Sequence, residues 1–217
     1  MKVRPKTTPR YHDISPEISD RIAVFPGDKP FCRRQSLAFG KGDHLDLSWM
    51  EATLHVGAHA DAPSHYHPEG ESIEKRSLHY YLGPCQVLSA KAPPGGRLAP
   101  EHLGCSKIAA QRLLLHTGSF PDPYAWRDDF NSLSPELIHY LAGHGVILVG
   151  VDAPSVDPWN SKKLESHNAA FEHDMALLEG LVLDGVEDGL YELIAPPLNI
   201  QGGDAGPVRA ILKENIE

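Results

Sequence analysis

No stretch of this chain approaches the roughly twenty consecutive apolar residues that a membrane-spanning helix needs. The polar segment from Met1 to Arg10 holds two prolines and lacks the apolar centre of a secretory signal. Cysteine is scarce. Cys32, Cys85 and Cys105 lie far apart, are odd in number and form no Cys-x-x-Cys, so neither a disulfide framework nor a thiolate metal site is expected. Free thiols in a reducing cytoplasm are the expectation instead. Positive charge is in deficit: 20 Lys and Arg face 29 Asp and Glu, and the net charge of −9 argues against a nucleic-acid partner. Two catalytic signatures are missing as well. His-Glu-x-x-His would mark one class of zinc hydrolase, and Gly-x-Ser-x-Gly would mark a serine nucleophile. No internal repeat or low-complexity segment is present.

What the chain has in plenty is glycine and proline, 19 of each, which cut it into short pieces and suit a strand-rich domain with few helices. Its 217 residues fit a single domain, 1–217, long enough to bury a core without covalent staples. Apolar patterning predicts strands over 23–25, 47–59, 85–90, 112–117, 146–151, 181–183, 191–194 and 208–212. The unbroken apolar run 146–151 fits a strand buried on both faces. One helix has clear ends: Ser134 as its cap, Pro135 in its first turn and Gly143 just past its end. A second is predicted from about Asn168 to Leu178, closed by Gly180. Together these predict an α/β, β-rich fold.

The densest chemistry lies in His55-Val-Gly-Ala-His59-Ala-Asp61-Ala-Pro-Ser-His65-Tyr-His67. Imidazole and carboxylate are ligands that borderline divalent metals prefer, and the small neighbours leave room for water and substrate. Gly57 and Pro63 argue against a helix here. In an extended chain residues 55, 57, 59 and 61 share one face. The spacing therefore predicts one strand carrying His55, His59 and Asp61 as metal ligands, with His65 on a loop after Pro63. A second metal needs donors from the distal half, where Asp152, Asp157, His167, Glu172, His173, Asp174 and Glu179 are all candidates. Chemistry alone does not choose among them, although Asp152, at the end of a buried strand, reads as a loop anchor. His67 is expected to face solvent. The remaining histidines, His139 and His173 among them, show no ligand spacing.

The histidine stretch resembles the signature His-x-Gly-Thr-His-x-Asp-x-Pro-x-His of the metal-dependent cyclase-type hydrolases. Ala58 stands where most of that superfamily has Thr, and the bacterial kynurenine formamidases (arylformamidases) have Ala there. Further segments resemble that subfamily: Asp13-Ile-Ser-Pro16, Phe25-Pro-Gly-Asp28, Tyr81-Leu-Gly-Pro-Cys85, Gly150-Val-Asp-Ala-Pro-Ser155, Leu178-Glu-Gly-Leu-Val-Leu-Asp184 and Tyr191-Glu-Leu-Ile-Ala-Pro-Pro197. The resemblance runs from about Tyr11 to Leu212. It implies a swivelling β/β/α domain, and it places the distal ligands on His167 and Glu179. A straight helix of twelve residues spans about 18 Å, so those two residues cannot share one helix and bind one ion. Either His167 precedes the helix or the helix is shorter than its pattern.

The resemblance further implies two zinc ions, with manganese or another divalent ion as substitutes, and Asp61 and Glu179 able to bridge them. The substrate implied is N-formyl-L-kynurenine, an aryl formamide of tryptophan degradation, cleaved to L-kynurenine and formate. Zinc lowers the pKa of bound water to about 7, which supplies hydroxide to attack the formyl carbon. His65 is expected to shuttle the proton to the departing aryl amine. Phe25 matches a position where the subfamily usually has a substrate-contacting Trp. A homodimer or higher homo-oligomer is the usual assembly. Two other readings stand beside this one: a sister hydrolase that opens a cyclic amide such as isatin, and a metal-binding protein of this fold without catalysis.

Overall fold

Leucines at 113, 114 and 115 point alternately to two cores, because successive side chains of a strand leave on opposite faces. Leu114 joins one core with Leu148, Leu178 and Leu193. Leu113 and Leu115 join the other with Val149, Val151 and Leu177. The computed structural model describes residues 9–104 and 107–214. Cys105 and most of the Met1 to Arg10 segment lie outside the described residues.

In chain order the strands are β1 (Tyr11–Asp13), β2 (Cys32–Leu37), β3 (Leu47–Glu51), β4 (His59–Asp61), β5 (Leu82–Ser89), β6 (Arg97–Leu98), β7 (Arg112–His116), β8 (Ser132–Leu133), β9 (Leu148–Val151), β10 (Ala176–Glu179), β11 (Gly189–Ile194), β12 (Ala205–Pro207) and β13 (Ile211–Glu214). The helices are α1 (Pro63–Tyr66), α2 (Pro135–Gly143) and α3 (Glu165–Glu172). Nine strands make one sheet in the order β1-β13-β11-β5-β7-β9-β10-β4-β12. Its centre, β5-β7-β9-β10, is parallel, and its flanks are antiparallel. Parallel neighbours need crossover connections, and α2 and α3 supply two of them, β7 to β9 and β9 to β10. The fold is thus a strand-rich α/β, as the sequence predicts. Among the described residues, a ribbon of β2 and β3 pairs only with itself, apart from the large sheet.

The helix α2 matches its sequence signals, with the Ser134 hydroxyl accepting from the Leu137 N–H at 3.2 Å. Its left-handed exit falls on Gly145, at φ 80°, rather than on Gly143. Other expectations need correction. The strand predicted over 47–59 stops at Glu51, and β4 begins only at His59. Gly57 sits between them at φ 61°, outside the extended region. Segments 23–25 and 181–183 are not strands. Leu181 and Leu183 are apolar because they fill the core, and the backbone of Val182 pairs singly, with Ile14 O at 2.9 Å. The stretch 208–212 splits, with β13 starting at Ile211. The helix predicted over 168–178 begins earlier and ends at Glu172. Asp174 then adopts φ 51°, which turns the chain so that Ala176–Glu179 runs as β10.

Candidate metal centre

Two neighbouring strands place the middle of the site. In β4, His59 and Asp61 are two residues apart and share a face. The antiparallel register with β10 sets Glu179 directly opposite His59. His55 comes from the turn before β4 rather than from the strand itself. That turn is held close against β10: a Cβ on Gly180, at φ 66°, would lie 2.3 Å from the Gly57 carbonyl oxygen. Gly180 therefore serves a close backbone approach, not the helix end that its sequence position suggests.

His167 arrives from the first turn of α3. Leu164, just before the helix, is left-handed at φ 48°, a conformation that costs a non-glycine residue about 1–2 kcal/mol. Asp157 supports the same turn. Its carboxylate accepts from the N–H groups of Ser166 and His167 at 3.1 Å each, which suits the positive end of a helix. With Glu179 on a strand and His167 on a helix, the conflict over one long helix disappears.

Each of the three histidines is oriented by an oxygen on its far nitrogen. His59 Nδ1 donates to Gly57 O at 2.9 Å, His167 Nδ1 lies 2.7 Å from Asp157 Oδ2, and His55 Nε2 lies 3.2 Å from Asp204 Oδ2. The opposite nitrogens converge. His55 Nδ1 and His59 Nε2 stand 3.0 and 3.3 Å from Asp61 Oδ1, and His167 Nε2 stands 3.2 Å from Asp61 Oδ2. Glu179 closes the group, 3.4 Å from His59 Nε2 and 3.5 Å from His167 Nε2. Two donor triads result, His55-His59-Asp61 and Asp61-His167-Glu179, which share Asp61.

These residues fit a divalent metal on three counts. A tetrahedral ion with ligand bonds of about 2.0–2.1 Å holds its donors about 3.3 Å apart, and the five spacings above bracket that value. His59 Nε2 and Asp61 Oδ1 are buried without a hydrogen bond, a costly condition that a shared cation relieves. The oxygen on each outer nitrogen is the support that metal-bound imidazoles generally have. Electrostatics agree. Burial opposes charge on His59, yet the carboxylates of Asp61 and Glu179 push its pKa up to about 10. Burial also works against ionised Asp61, but His167, His55 and His59 hold its pKa well below the usual carboxylate range. The centre is an anionic field that calls for positive charge.

His65 lies beside the centre on the short helix α1, not on a loop. Pro63 opens that helix at its first position instead of ending the strand. The His65 ring is 4.2 Å from that of His55 and 6.1 Å from that of His167. Its pKa is lowered, chiefly by burial, with His55 and His167 adding to the effect against the pull of Asp61. A cavity of about 310 Å³ opens over His55, His59, His65, His167 and Glu179. Phe25, Phe120, Trp126 and Trp159 also line it. Phe25 is 36% exposed and meets Trp126 edge-on at 5.4 Å, which fits a wall rather than a core position.

Several supporting residues carry no ligand spacing in the sequence. Asp204, in a Gly-Gly-Asp turn, carried no signal at all. Asp157 was visible only as one of seven distal donor candidates, and it supports a ligand instead of standing among the converging atoms. Trp126 and Trp159 could have been suspected from the need for an aromatic wall. Asp152 is the loop anchor expected: it accepts from the Thr117 hydroxyl at 2.6 Å and the Gly118 N–H at 2.8 Å. His67 does not simply face solvent, since its ring stacks on Phe171 at 3.7 Å.

Comparison with known proteins places the chain in a class. The model of the Cyclase family matches residues 12–158, and the chain belongs to that family. Within it, the chain is 43% identical over 206 residues to the kynurenine formamidase of Bordetella pertussis, covering 94% of this chain and 98% of that one. It is 43% identical over 204 residues to the kynurenine formamidase of Maricaulis maris, covering 93% and 97%. At that identity over nearly the whole length, the chain groups with the arylformamidase hydrolases. Solved structures share the fold: a potential metal-dependent hydrolase with cyclase activity aligns over 97% of this chain and 100% of its own, with a TM-score of 0.82 and 22% identity. An isatin hydrolase bound to the product analogue thioisatinate aligns over 96% and 93%, with a TM-score of 0.79 and 18% identity.

Proposed function

We propose that this chain hydrolyses N-formyl-L-kynurenine to L-kynurenine and formate, a step of tryptophan degradation, with two divalent ions at the paired triads. The observation that carries the reading is the convergence of three oriented imidazoles on one shared carboxylate, beside a fourth imidazole, His65, in an aromatic-lined cavity. Zinc suits these donors, and manganese or another divalent ion could replace it. Asp61 offers one oxygen to each triad, and Glu179 reaches toward both. Ions held there supply Lewis acidity that makes water nucleophilic near neutral pH and polarises the formyl oxygen.

The chain's own groups do the rest. His65, held neutral, takes a proton from the attacking water as the new C–O bond forms. It returns that proton to the aryl nitrogen as the C–N bond breaks, so the amine leaves uncharged, and the formic acid formed ionises to formate by releasing its proton to solvent. Phe25, Trp126 and Trp159 hold the aryl ring by apolar and edge contacts. Val156 N–H, donating to Glu179 Oε1 at 2.7 Å, fixes that carboxylate. The assembly we expect is a cytoplasmic homodimer or higher oligomer. Supporting it, the β2–β3 ribbon exposes Leu47 and Trp49 on one face and Met50 on the other, apolar side chains of the sort that association covers.

The test is a steady-state assay of the metal-loaded protein on N-formyl-kynurenine, formanilide and isatin side by side. Formamide cleavage that exceeds isatin opening supports the reading. Isatin opening with no formamidase activity would assign the cyclic-amide reaction instead, and inactivity on all three, with metal bound, would leave a binding protein.

A further inference from the structure

The far end of α3 carries a second convergence of donors, which the chemistry above does not use. His139 projects from α2, while Glu172 is the last residue of α3 and His173 caps that helix. Their ligand atoms all lie within 4.8 Å of one another. His139 Nδ1 and His173 Nε2 are 2.8 Å apart, with the rings nearly perpendicular at 80°. No sequence spacing links the two imidazoles. Only the packing of α2 against α3 brings them together.

The geometry points to a peripheral site for one borderline divalent ion of the zinc class, held by His139, His173 and Glu172 and completed by water. Two imidazoles and one carboxylate are the donor types that such ions select, and an oxygen-only ion such as magnesium or calcium would not choose them. An ion with bonds of about 2.0–2.1 Å needs the two nitrogens near 3.3 Å apart. All three side chains are exposed, so side-chain rotation alone can supply the few tenths of an ångström. The backbone beneath them is firmly set. Leu137, Ile138 and Leu141 anchor α2 in the core, and Ala169 and Ala170 anchor α3. Donors on such fixed elements are preorganised. By contrast, the hydrogen bond between the two exposed rings competes with water and is worth little.

This site is separate from the central one. His173 comes six residues after His167, about 9 Å along the helix axis, and none of the three donors lines the catalytic cavity. An ion there ties α2 to α3, the helix that presents His167. It acts as a clamp on the fold and takes no part in the reaction.

The experiment compares metal-loaded wild type with His139→Ala, His173→Ala and Glu172→Gln. Each is dialysed against graded Zn2+ and, separately, Ni2+, and bound metal is counted per chain. Wild type should hold one ion more than either histidine variant, whatever number the central site holds. Glu172→Gln should keep that ion with weaker affinity. Added Ni2+ should raise the melting temperature of wild type but not of His139→Ala, and hydrolysis without added metal should be equal in both. Equal metal counts in wild type and His139→Ala across the titration would overturn the site. Because the readout is a difference between the two, it stands or falls apart from the number of ions at the centre and from the identity of the substrate.

Discussion

The two halves of the candidate metal centre are built from the same kinds of donor, imidazole and carboxylate, but held in different ways. In the proximal half, His55 sits on a turn with 15% of its side chain exposed, and its supporting carboxylate, Asp204, is 53% exposed. In the distal half, His167 is 2% exposed and its support, Asp157, 1%. Asp157 also receives two N–H groups of α3 and lies 3.3 Å from Arg97. His55 thus meets the cavity on an exposed, pliant support. His167 and Glu179 also line the cavity, but His167 stands on a buried, cross-braced support. The contrast predicts that proximal changes alter chemistry and metal exchange, while distal changes also unsettle the fold.

The largest effect should come from removing what the halves share. Asp61→Asn is expected to empty both triads and abolish formamidase activity, and chelation of the wild type should do the same. Elemental analysis beside the activity assay checks this. A chelated, metal-free protein with full activity would sink the metal mechanism. His59→Ala should lose proximal metal and leave the distal triad occupied.

Next in size is His65→Ala. It should keep metal and fold and lower kcat by roughly 10²–10⁴-fold, the usual weight of acid–base catalysis. If it lost proximal metal as His59→Ala should, His65 would be a ligand and not a proton carrier.

The supports sharpen the comparison directly. Asp157→Ala and Asp204→Ala should each weaken metal binding by about 10–100-fold. Only Asp157→Ala should destabilise the protein strongly, by about 3–5 kcal/mol, because it strands buried partners. Asp204→Ala should stay within about 1 kcal/mol, as exposed charges do. Urea denaturation of the two variants separates these outcomes, and equal losses would erase the contrast.

The smallest effect is expected at Phe25. Phe25→Ala should weaken substrate binding by about 1–3 kcal/mol and leave metal occupancy alone. Phe25→Trp should be tolerated. Measuring kcat/KM on N-formyl-kynurenine and formanilide, with a melting curve for each variant, tells a wall residue from a core one.

The proximal half was legible because its donors are crowded into seven residues, where period-two spacing and small neighbours narrow the possible chemistry. The distal half was not. His167 and Glu179 came only from resemblance, since any of seven residues could have served on chemical grounds. Local pattern even misled: Asn168 to Leu178 reads as one helix, but the turn at Asp174 makes its second part a strand.

By itself the sequence determined the donor types, the strand-rich α/β class, the buried run at 146–151 and the start of α2. All of these depend on local spacing and side-chain chemistry, which near neighbours in the chain decide. Tertiary structure alone decided that Glu179 faces His59, that Gly180 admits the Gly57 carbonyl, and that Asp157 and Asp204 orient the imidazoles. It alone brought His139 to His173. Those pairings rest on strand register and helix packing between distant segments, which no local pattern encodes.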